Sequence, residues 1–337
     1  MMQAFETLTE LALVDGQALT ACGTDLAMLY ADVATGYPAT VALKEQTVVI
    51  NGQAAIPSAA PVLDCDLNPF DLHIQLLIDR ATEWLPELDL KDKGMLITSP
   101  EILTHVQLQQ LGLREAAVTL QAPQLHAALG QWQNALQQHP RIEHWYWLSL
   151  DSRCYLQWLQ QHSDQLFSVL DQPEGQIPGE AIVITHWQRG GTAGYPLSFA
   201  ACQPAPRQEP GGATRTTLLS AAEPEIKQRP PVWAEIISND DLSRASAVEI
   251  YHSEAALWPE FDADLNRGPA EPVLSLYRTL GDIGLAALPL ALLLARSRIH
   301  SPMQYQPSVG VMINDGQYRH YWRLTDQHSE PRKHAHV

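Results

Sequence analysis

Basic residues are scarce in this chain of 337 residues. Lysine and arginine together number 21, against 38 aspartates and glutamates, which gives a formal net charge of −17 at pH 7. Proteins that bind nucleic acid or anionic membranes present a basic surface to the phosphate groups. The composition therefore predicts that the partner is neither a nucleic acid nor a membrane surface.

Paired cysteines are also missing, because the four cysteines are scattered and show neither a C-x-x-C pair nor another metal-ligand spacing. Such isolated cysteines favour free thiols in a reducing compartment. The histidine-rich end is assigned to a flexible tail, which fixes no ligand geometry, so we expect no metal and no cofactor. The residues concerned are Cys22, Cys65, Cys154 and Cys202, and His320, His328, His334 and His336.

Long hydrophobic runs are absent. The longest, residues 283–295, has 13 residues and contains Pro289, whereas a membrane-spanning helix needs about 20 apolar residues. This run predicts a buried core helix. Residues 1–15 contain no lysine or arginine and so lack the basic start of a signal peptide. We therefore expect a soluble, cytoplasmic protein.

Strand-like and helix-like segments alternate along the chain, a pattern that predicts a layered α/β fold. Continuous apolar runs such as 94–98 and 181–185 are typical of strands covered on both faces. Residues 70–85 and 124–138 repeat apolar side chains at helical spacing. Further predicted elements are strands at 116–120, 145–150, 232–237 and 274–277, helices at 25–35, 155–162, 245–257 and 282–295, hairpins around Asn51-Gly52 and at 308–324, and an exposed loop at 203–217.

Two stretches resemble motifs of the β-ketoacyl synthases. One ends in Pro178-Gly179-Glu180-Ala181, and the other is the turn Leu280-Gly281-Asp282-Ile283-Gly284 before a long apolar helix. The resemblance implies an α/β, thiolase-like fold with two pseudo-duplicated βαβαβαββ-type halves in a layered α/β/α/β/α arrangement. It places the halves at 1–194 and 195–326 of one compact unit, with 327–337 as a tail.

The resemblance also implies a cysteine nucleophile after the third strand and two catalytic histidines. Gln121 or Ala122 stands at the nucleophile position, and neither can act as a thiolate. Ser238-Asn239-Asp240-Asp241 and Asp282 stand at the histidine positions. A carboxylate there would repel the negative charge that develops on a thioester oxygen. We expect Asp282 to be the N-cap of the long helix instead.

Three functions are compatible with these residues. The first is a non-catalytic adaptor, chaperone or scaffold for protein partners. The resemblance extends this to loading of type VI secretion effectors, because degenerate proteins of this kind occur beside type VI secretion genes. The second is a partner subunit or acyl-binding protein in fatty-acid or polyketide synthesis. The third is an enzyme of altered mechanism that uses Asp240, Asp241 and Asp282 as an acidic cluster.

The strand before the nucleophile position suggests how two copies would associate. Thiolase-type folds pair through this edge strand, here residues 115–121. An apolar strand edge left unpaired favours association with another strand. We therefore expect a homodimer with a continuous sheet.

Overall fold

The structure is a computed structural model that describes residues 3–36, 38–43, 48–50, 53–63, 68–163, 166, 176–191, 194–205, 236–239, 273–301 and 308–326. Several expectations fall outside these ranges: the helix at 245–257, the tail at 327–337, Asp240, Asp241 and Cys65. Within the described residues, no helix is both long and apolar enough to cross a membrane.

Most described strands belong to one large sheet, and two short pairs lie outside it. In chain order the strands are β1 (Gln3–Ala4), β2 (Leu11–Thr20), β3 (Val41–Ala42), β4 (Val48–Ile50), β5 (Gln53–Ala55), β6 (Ser58–Ala59), β7 (Gly94–Thr98), β8 (Val118–Ala122), β9 (His144–Ser152), β10 (Glu180–Arg189), β11 (Tyr195–Pro204), β12 (Ile236–Ser238), β13 (Val273–Ser275), β14 (Ser308–Asn314) and β15 (Tyr318–Thr325).

Ten of the eleven described strands of the large sheet form two five-stranded halves with the same topology, and β1 pairs with β11 beside them. The strand order is β8-β7-β9-β10-β2 in one half and β13-β12-β14-β15-β11 in the other. Numbered within each half, both read 3-2-4-5-1. In both, the second strand runs parallel to its two neighbours and the fifth runs antiparallel to its own. The halves meet where β11 pairs with β2. The predicted boundary between residues 194 and 195 stays a prediction.

Helices cover both faces of the first half-sheet. They are α1 (Leu26–Thr35), α2 (Phe70–Trp84), α3 (His105–Gln110), α4 (Leu125–Gln138), α5 (Leu156–Gln161), α6 (Leu276–Leu280) and α7 (Ala287–His300). Along β9, Trp145 and Trp147 pack with α4 and α7, whereas Leu148 and Leu150 pack with α2. Side chains of one strand thus enter two cores, which explains why strand runs predicted as buried on both faces are apolar throughout.

The helix α7 lies at the centre of the fold. It contacts strands of both halves as well as α1, and its residues from Ala287 to Ala295 are all buried. A helix that is apolar on every side needs such surroundings. Pro289 lies in its first turn, where a missing N–H has no intrahelical partner to lose. The run predicted as a buried core helix is confirmed.

The start of this helix differs from the expectation. Asp282 is not its N-cap, because α7 begins at Ala287 after a 3₁₀ turn at Gly284–Ala286. The backbone of Asp282 instead forms a bridge with Pro178, donating its N–H to Ile177 (2.7 Å) and accepting from Gly179 (3.1 Å). The predicted strand at 274–277 is likewise shorter, since β13 ends at Ser275 and α6 follows directly.

Candidate functional site

A cleft of about 230 Å³ lies between the two halves. Its walls come from the start of α4, the end of β9, the turn before α7 and the turn between β14 and β15. The junction of the third strand of the first half with its helix faces this cleft through Pro123, Gln124 and Leu125. The cleft therefore lies next to the strand–helix junction that contains Gln121 and Ala122.

Asp151 forms the buried floor of the cleft. Its Oδ2 accepts the backbone N–H of Leu285 (2.7 Å) and its Oδ1 accepts that of Ser152 (2.8 Å). The close approach requires glycine at position 284, because a Cβ there would overlap Oδ2 of Asp151. Burial raises the pKa of Asp151, while Arg153 and the N–H of Leu285 act in the opposite direction. A carboxylate from β9 thus stabilises the turn before α7.

Arg153 contributes positive charge to the cleft wall, but two carboxylates neutralise it. Its Nη1 lies 3.5 Å from Oδ1 of Asp151 and its Nε lies 3.4 Å from Oδ2 of Asp282. Asp151, and to a smaller extent Asp282, raise the pKa of Arg153, whereas burial alone would lower it. Asp282 is 39% exposed, and its Oδ1 accepts the N–H of Gly284 (2.9 Å).

The turn between β14 and β15 uses its own side chains as acceptors. Asn314 Oδ1 accepts the N–H of Gly316 (2.9 Å), and Asp315 Oδ1 accepts those of Gln317 (3.0 Å) and Tyr318 (2.7 Å). Burial opposes ionisation of Asp315, but hydrogen bonds from His320 and from this backbone lower the pKa of Asp315 below its ordinary value. Three N–H groups beside the cleft are therefore already engaged.

The other positions named by the resemblance have structural contacts. Gln121 holds the loop before α3, because its Oε1 accepts the N–H of Leu103 (2.8 Å). Ala122 is buried in the core. Asn239, at the end of β12, exchanges two hydrogen bonds with the backbone of Asn314, each of 2.8 Å.

His73, Ser152 and Glu180 form a second polar cluster, which sequence reasoning missed. Ser152 Oγ donates to Glu180 (2.7 Å) and lies 2.9 Å from Nε2 of His73, which also contacts Glu180. All three side chains are buried. Glu180 Oε2 also accepts the N–H groups of Val62 and Leu63. Because no member of the cluster reaches solvent, it ties β9 and β10 to α2 and does not present a nucleophile.

His126, Cys202 and His320 are a third group that the sequence did not bring together. Their ligand atoms lie within 4.8 Å of one another. The assignment of His320 to a flexible tail is wrong, since it lies in β15 and is fully buried. Burial, and then His320, lower the pKa of His126. The register of β11 and β15 places Cys202 opposite His320, and α4 brings His126 beside them. The pairing of strands more than a hundred residues apart could not be predicted from the sequence.

No protein-family model matches the chain, and no curated protein matches it. Solved structures do. A β-ketoacyl synthase from Burkholderia phymatum covers 94% of this chain and 98% of its own length, at 11% identity and a TM-score of 0.55. An oxazolomycin ketosynthase domain from Streptomyces albus covers 94% and 75%, at 11% identity and a TM-score of 0.58. A bacillaene-synthase ketosynthase from Bacillus subtilis covers 95% and 72%, at 9% identity and a TM-score of 0.53.

These identities establish the fold alone. The chain has the thiolase-like fold of the ketosynthases, with helices and a large mixed sheet in the same arrangement. The fold class predicted from the two sequence motifs is confirmed. What the chain does with this fold depends on its own residues.

Proposed function

We propose that this chain is a non-catalytic, ketosynthase-like protein that acts by binding protein partners. The observation that supports this is that carboxylates already accept the backbone N–H groups around the cleft. Asp151 engages the N–H of Leu285, and Asp315 engages two N–H groups of the opposite turn. Acyl transfer needs free N–H donors directed at a developing oxyanion, whereas here the donors already serve carboxylates.

The charge in the cleft favours the same proposal. Asp151 and Asp315 line it, and Arg153, which also lines it, is paired with Asp151 and with Asp282. Negative side chains would oppose the enolate and the tetrahedral oxyanion of a condensation reaction. Gln121, Ala122, Pro123 and Gln124 at the strand–helix junction include no nucleophilic thiol or hydroxyl.

The acyl-binding alternative has less support. The cleft measures about 230 Å³, below the roughly 300–1,000 Å³ typical of small-molecule sites. The acidic-cluster alternative retains only Asp282 among the described residues, and that carboxylate is held by Arg153. Both therefore rank below the partner-binding proposal.

Thioester turnover tests the loss of chemistry. Purified protein is incubated with an acetyl thioester and a malonyl thioester, and product and free thiol are measured against a buffer control. We expect no condensation and no malonyl decarboxylation above the control, because the cleft holds neither a thiolate nor a histidine at the ketosynthase positions. Measurable condensation would refute the proposal.

A pull-down from the native host with mass spectrometry tests the kind of partner. The type VI secretion link rests on the sequence resemblance alone, and enrichment of a secretion spike or effector protein is its expected result. Enrichment of an acyl carrier protein would favour the synthase-partner alternative. In each case the captured protein must bind again when both are purified.

Self-association through β8 is the most specific partner prediction. Among the described residues β8 pairs with β7 alone, which leaves its other backbone edge open. Val118 and Leu120 are half-buried, and nearby Ile102, beside the Leu103 that Gln121 holds, is 54% exposed. A second copy of the chain, paired edge to edge, would cover these groups.

Thr119→Lys is expected to convert the dimer into a monomer. Thr119 is exposed on β8, so the new ammonium group would lie near its counterpart across a two-fold axis, where like charges oppose each other. Light scattering coupled to size exclusion measures the mass. Thr82→Lys, the same change at an exposed site on α2, should leave the dimer intact. A monomeric wild type, or a dimeric Thr119→Lys variant, contradicts the prediction.

A further inference from the structure

We propose that His126, Cys202 and His320 bind a zinc ion at the side of the cleft. The three residues come from α4, β11 and β15, and one ligand atom of each lies within 4.8 Å of the other two. Cys202 and His320 are directly opposite each other in the antiparallel ladder, so both side chains project from the same face of the sheet. His126 approaches that face from the first turn of α4.

The distance between two of the ligand atoms suits a tetrahedral ion. Nδ1 of His126 lies 3.5 Å from Sγ of Cys202. A zinc ion with a Zn–N bond of about 2.0–2.1 Å and a Zn–S bond of about 2.3 Å places its nitrogen and sulfur ligands about 3.5 Å apart at a tetrahedral angle. Little rearrangement is therefore needed at this edge of the site.

His320 is oriented as zinc-binding histidines usually are. Its Nε2 lies 2.9 Å from Oδ2 of Asp315, and in the described part of the chain its buried Nδ1 has no hydrogen-bond partner. A carboxylate that holds one ring nitrogen sets the tautomer and leaves the other nitrogen's lone pair for the metal. A buried ring nitrogen without a partner is costly, and a metal ion would supply that partner.

The ligand set selects the class of metal. Two imidazoles and one thiolate favour zinc over magnesium or calcium, which prefer oxygen ligands. His126 and Asp315 also line the cleft, so a fourth ligand, water or a group that enters the cleft, can reach the ion. The site would join α4 of the first half to β11 and β15 of the second. This inference is independent of the partner-binding function proposed above.

Cobalt(II) is the probe that tests the site, because it replaces zinc and reports its ligands by colour. Reduced, metal-free protein is titrated with Co²⁺. We expect an intense thiolate-to-cobalt band in the near ultraviolet and the visible bands of a tetrahedral ion, and we expect one equivalent of Zn²⁺ to remove both. The imidazoles of the tail, His328, His334 and His336, cannot produce a thiolate band.

Four variants distinguish zinc binding at this site from binding at other residues. Cys202→Ser should abolish the thiolate band, whereas Cys22→Ser, at a half-buried thiol elsewhere, should keep it. His126→Phe retains an aromatic ring for the stack on Tyr318 but offers no ligand, so Zn²⁺ should bind at least 100-fold more weakly. Asp315→Asn keeps an oxygen that can accept the N–H groups of Gln317 and Tyr318 but removes the charge that orients His320, and we expect it to weaken Zn²⁺ binding roughly 10–100-fold.

Thermal unfolding provides a second measurement. Since the ion would bind the folded chain and not the unfolded one, Zn²⁺ should raise the Tm of the wild type and of Cys22→Ser, and leave that of His126→Phe unchanged. Wild-type protein without a thiolate–cobalt band overturns the proposal, as does equal Zn²⁺ affinity in the wild type and His126→Phe. If Cys202→Ser does not fold, His126→Phe still decides the question.

Discussion

Replacing Gly281 by alanine is expected to lower the free energy of unfolding by about 4 kcal/mol. Gly281 has φ +68° and ψ −160°, a region that residues other than glycine enter at a cost of roughly 1–3 kcal/mol. A Cβ there would also overlap the carbonyl oxygen of Ile177, which belongs to the backbone. Overlap in a packed region costs roughly a further 1–3 kcal/mol.

A glycine with positive φ but no overlap is the comparison, and its ψ of 26° places it in the left-handed helical region rather than in that of Gly281. Gly36, at the end of α1, has φ +65°, and a Cβ there would meet nothing within 4 Å. Gly36→Ala should therefore cost only about 1–2 kcal/mol, the penalty of the left-handed backbone. Urea unfolding followed by tryptophan fluorescence measures both variants, since Trp132, Trp145 and Trp187 lie in the core. Equal losses at the two positions would show that the overlap is unimportant.

The same contact joins the two glycine-containing motifs identified in the sequence. Gly179, from the first motif, lies against the backbone of Leu280 in the second, and a Cβ on Gly179 would overlap the Leu280 carbonyl oxygen. Conversely, Gly281 of the second motif lies against the backbone of Ile177, next to the first motif. The bridge between Pro178 and Asp282 connects the two motifs. Each glycine permits the close approach of the other strand. The two motifs are thus one structural unit at the junction of the halves.

Local patterns predicted the fold well, because they depend on neighbours along the chain. The stripe of Leu125, Leu129, Trp132 and Leu136 identified α4, and the apolar run at 283–295 identified α7. The beginning of α7 was misplaced, because the backbone of Asp282 pairs with residues 177–179, more than a hundred positions away. Helix-capping rules consider only residues near the helix start and do not include such a long-range backbone pairing.

The chemistry of the cleft was less predictable. No sequence pattern singled out Asp151, yet it supplies the carboxylate that reaches the N–H of Leu285. His126, Cys202 and His320 show no recognisable spacing, because the register of β11 and β15 pairs Cys202 with His320 and the helix α4 adds His126. Sites assembled across strands of two halves leave no contiguous signature in the sequence.

Replacing Asp151 by alanine should be the most damaging change in the cleft, with an expected loss of about 3–5 kcal/mol in the free energy of unfolding. Both its oxygens are buried acceptors, so alanine would leave the N–H groups of Leu285 and Ser152 without partners. It would also remove one of the two carboxylates that balance Arg153. Asp282→Ala is the matched control, because it removes the other, half-exposed partner and should cost about 1 kcal/mol or less. A loss for Asp151→Ala no greater than that of the control would contradict a structural role for the buried carboxylate.

The pH dependence of Asp151→Asn tests the same carboxylate through its charge. Burial raises the pKa of Asp151 above its ordinary value of 3.8, so the folded protein holds this proton at pH values where the unfolded chain has released it. The contribution of Asp151 to stability is therefore greatest below about pH 4 and falls as the pH rises through the raised pKa. Asparagine does not titrate, so the advantage of the wild type over Asp151→Asn in urea unfolding should shrink over the interval in which the pH rises above about 4. An advantage that grows over this interval would mean that Arg153, and not burial, dominates the pKa of Asp151.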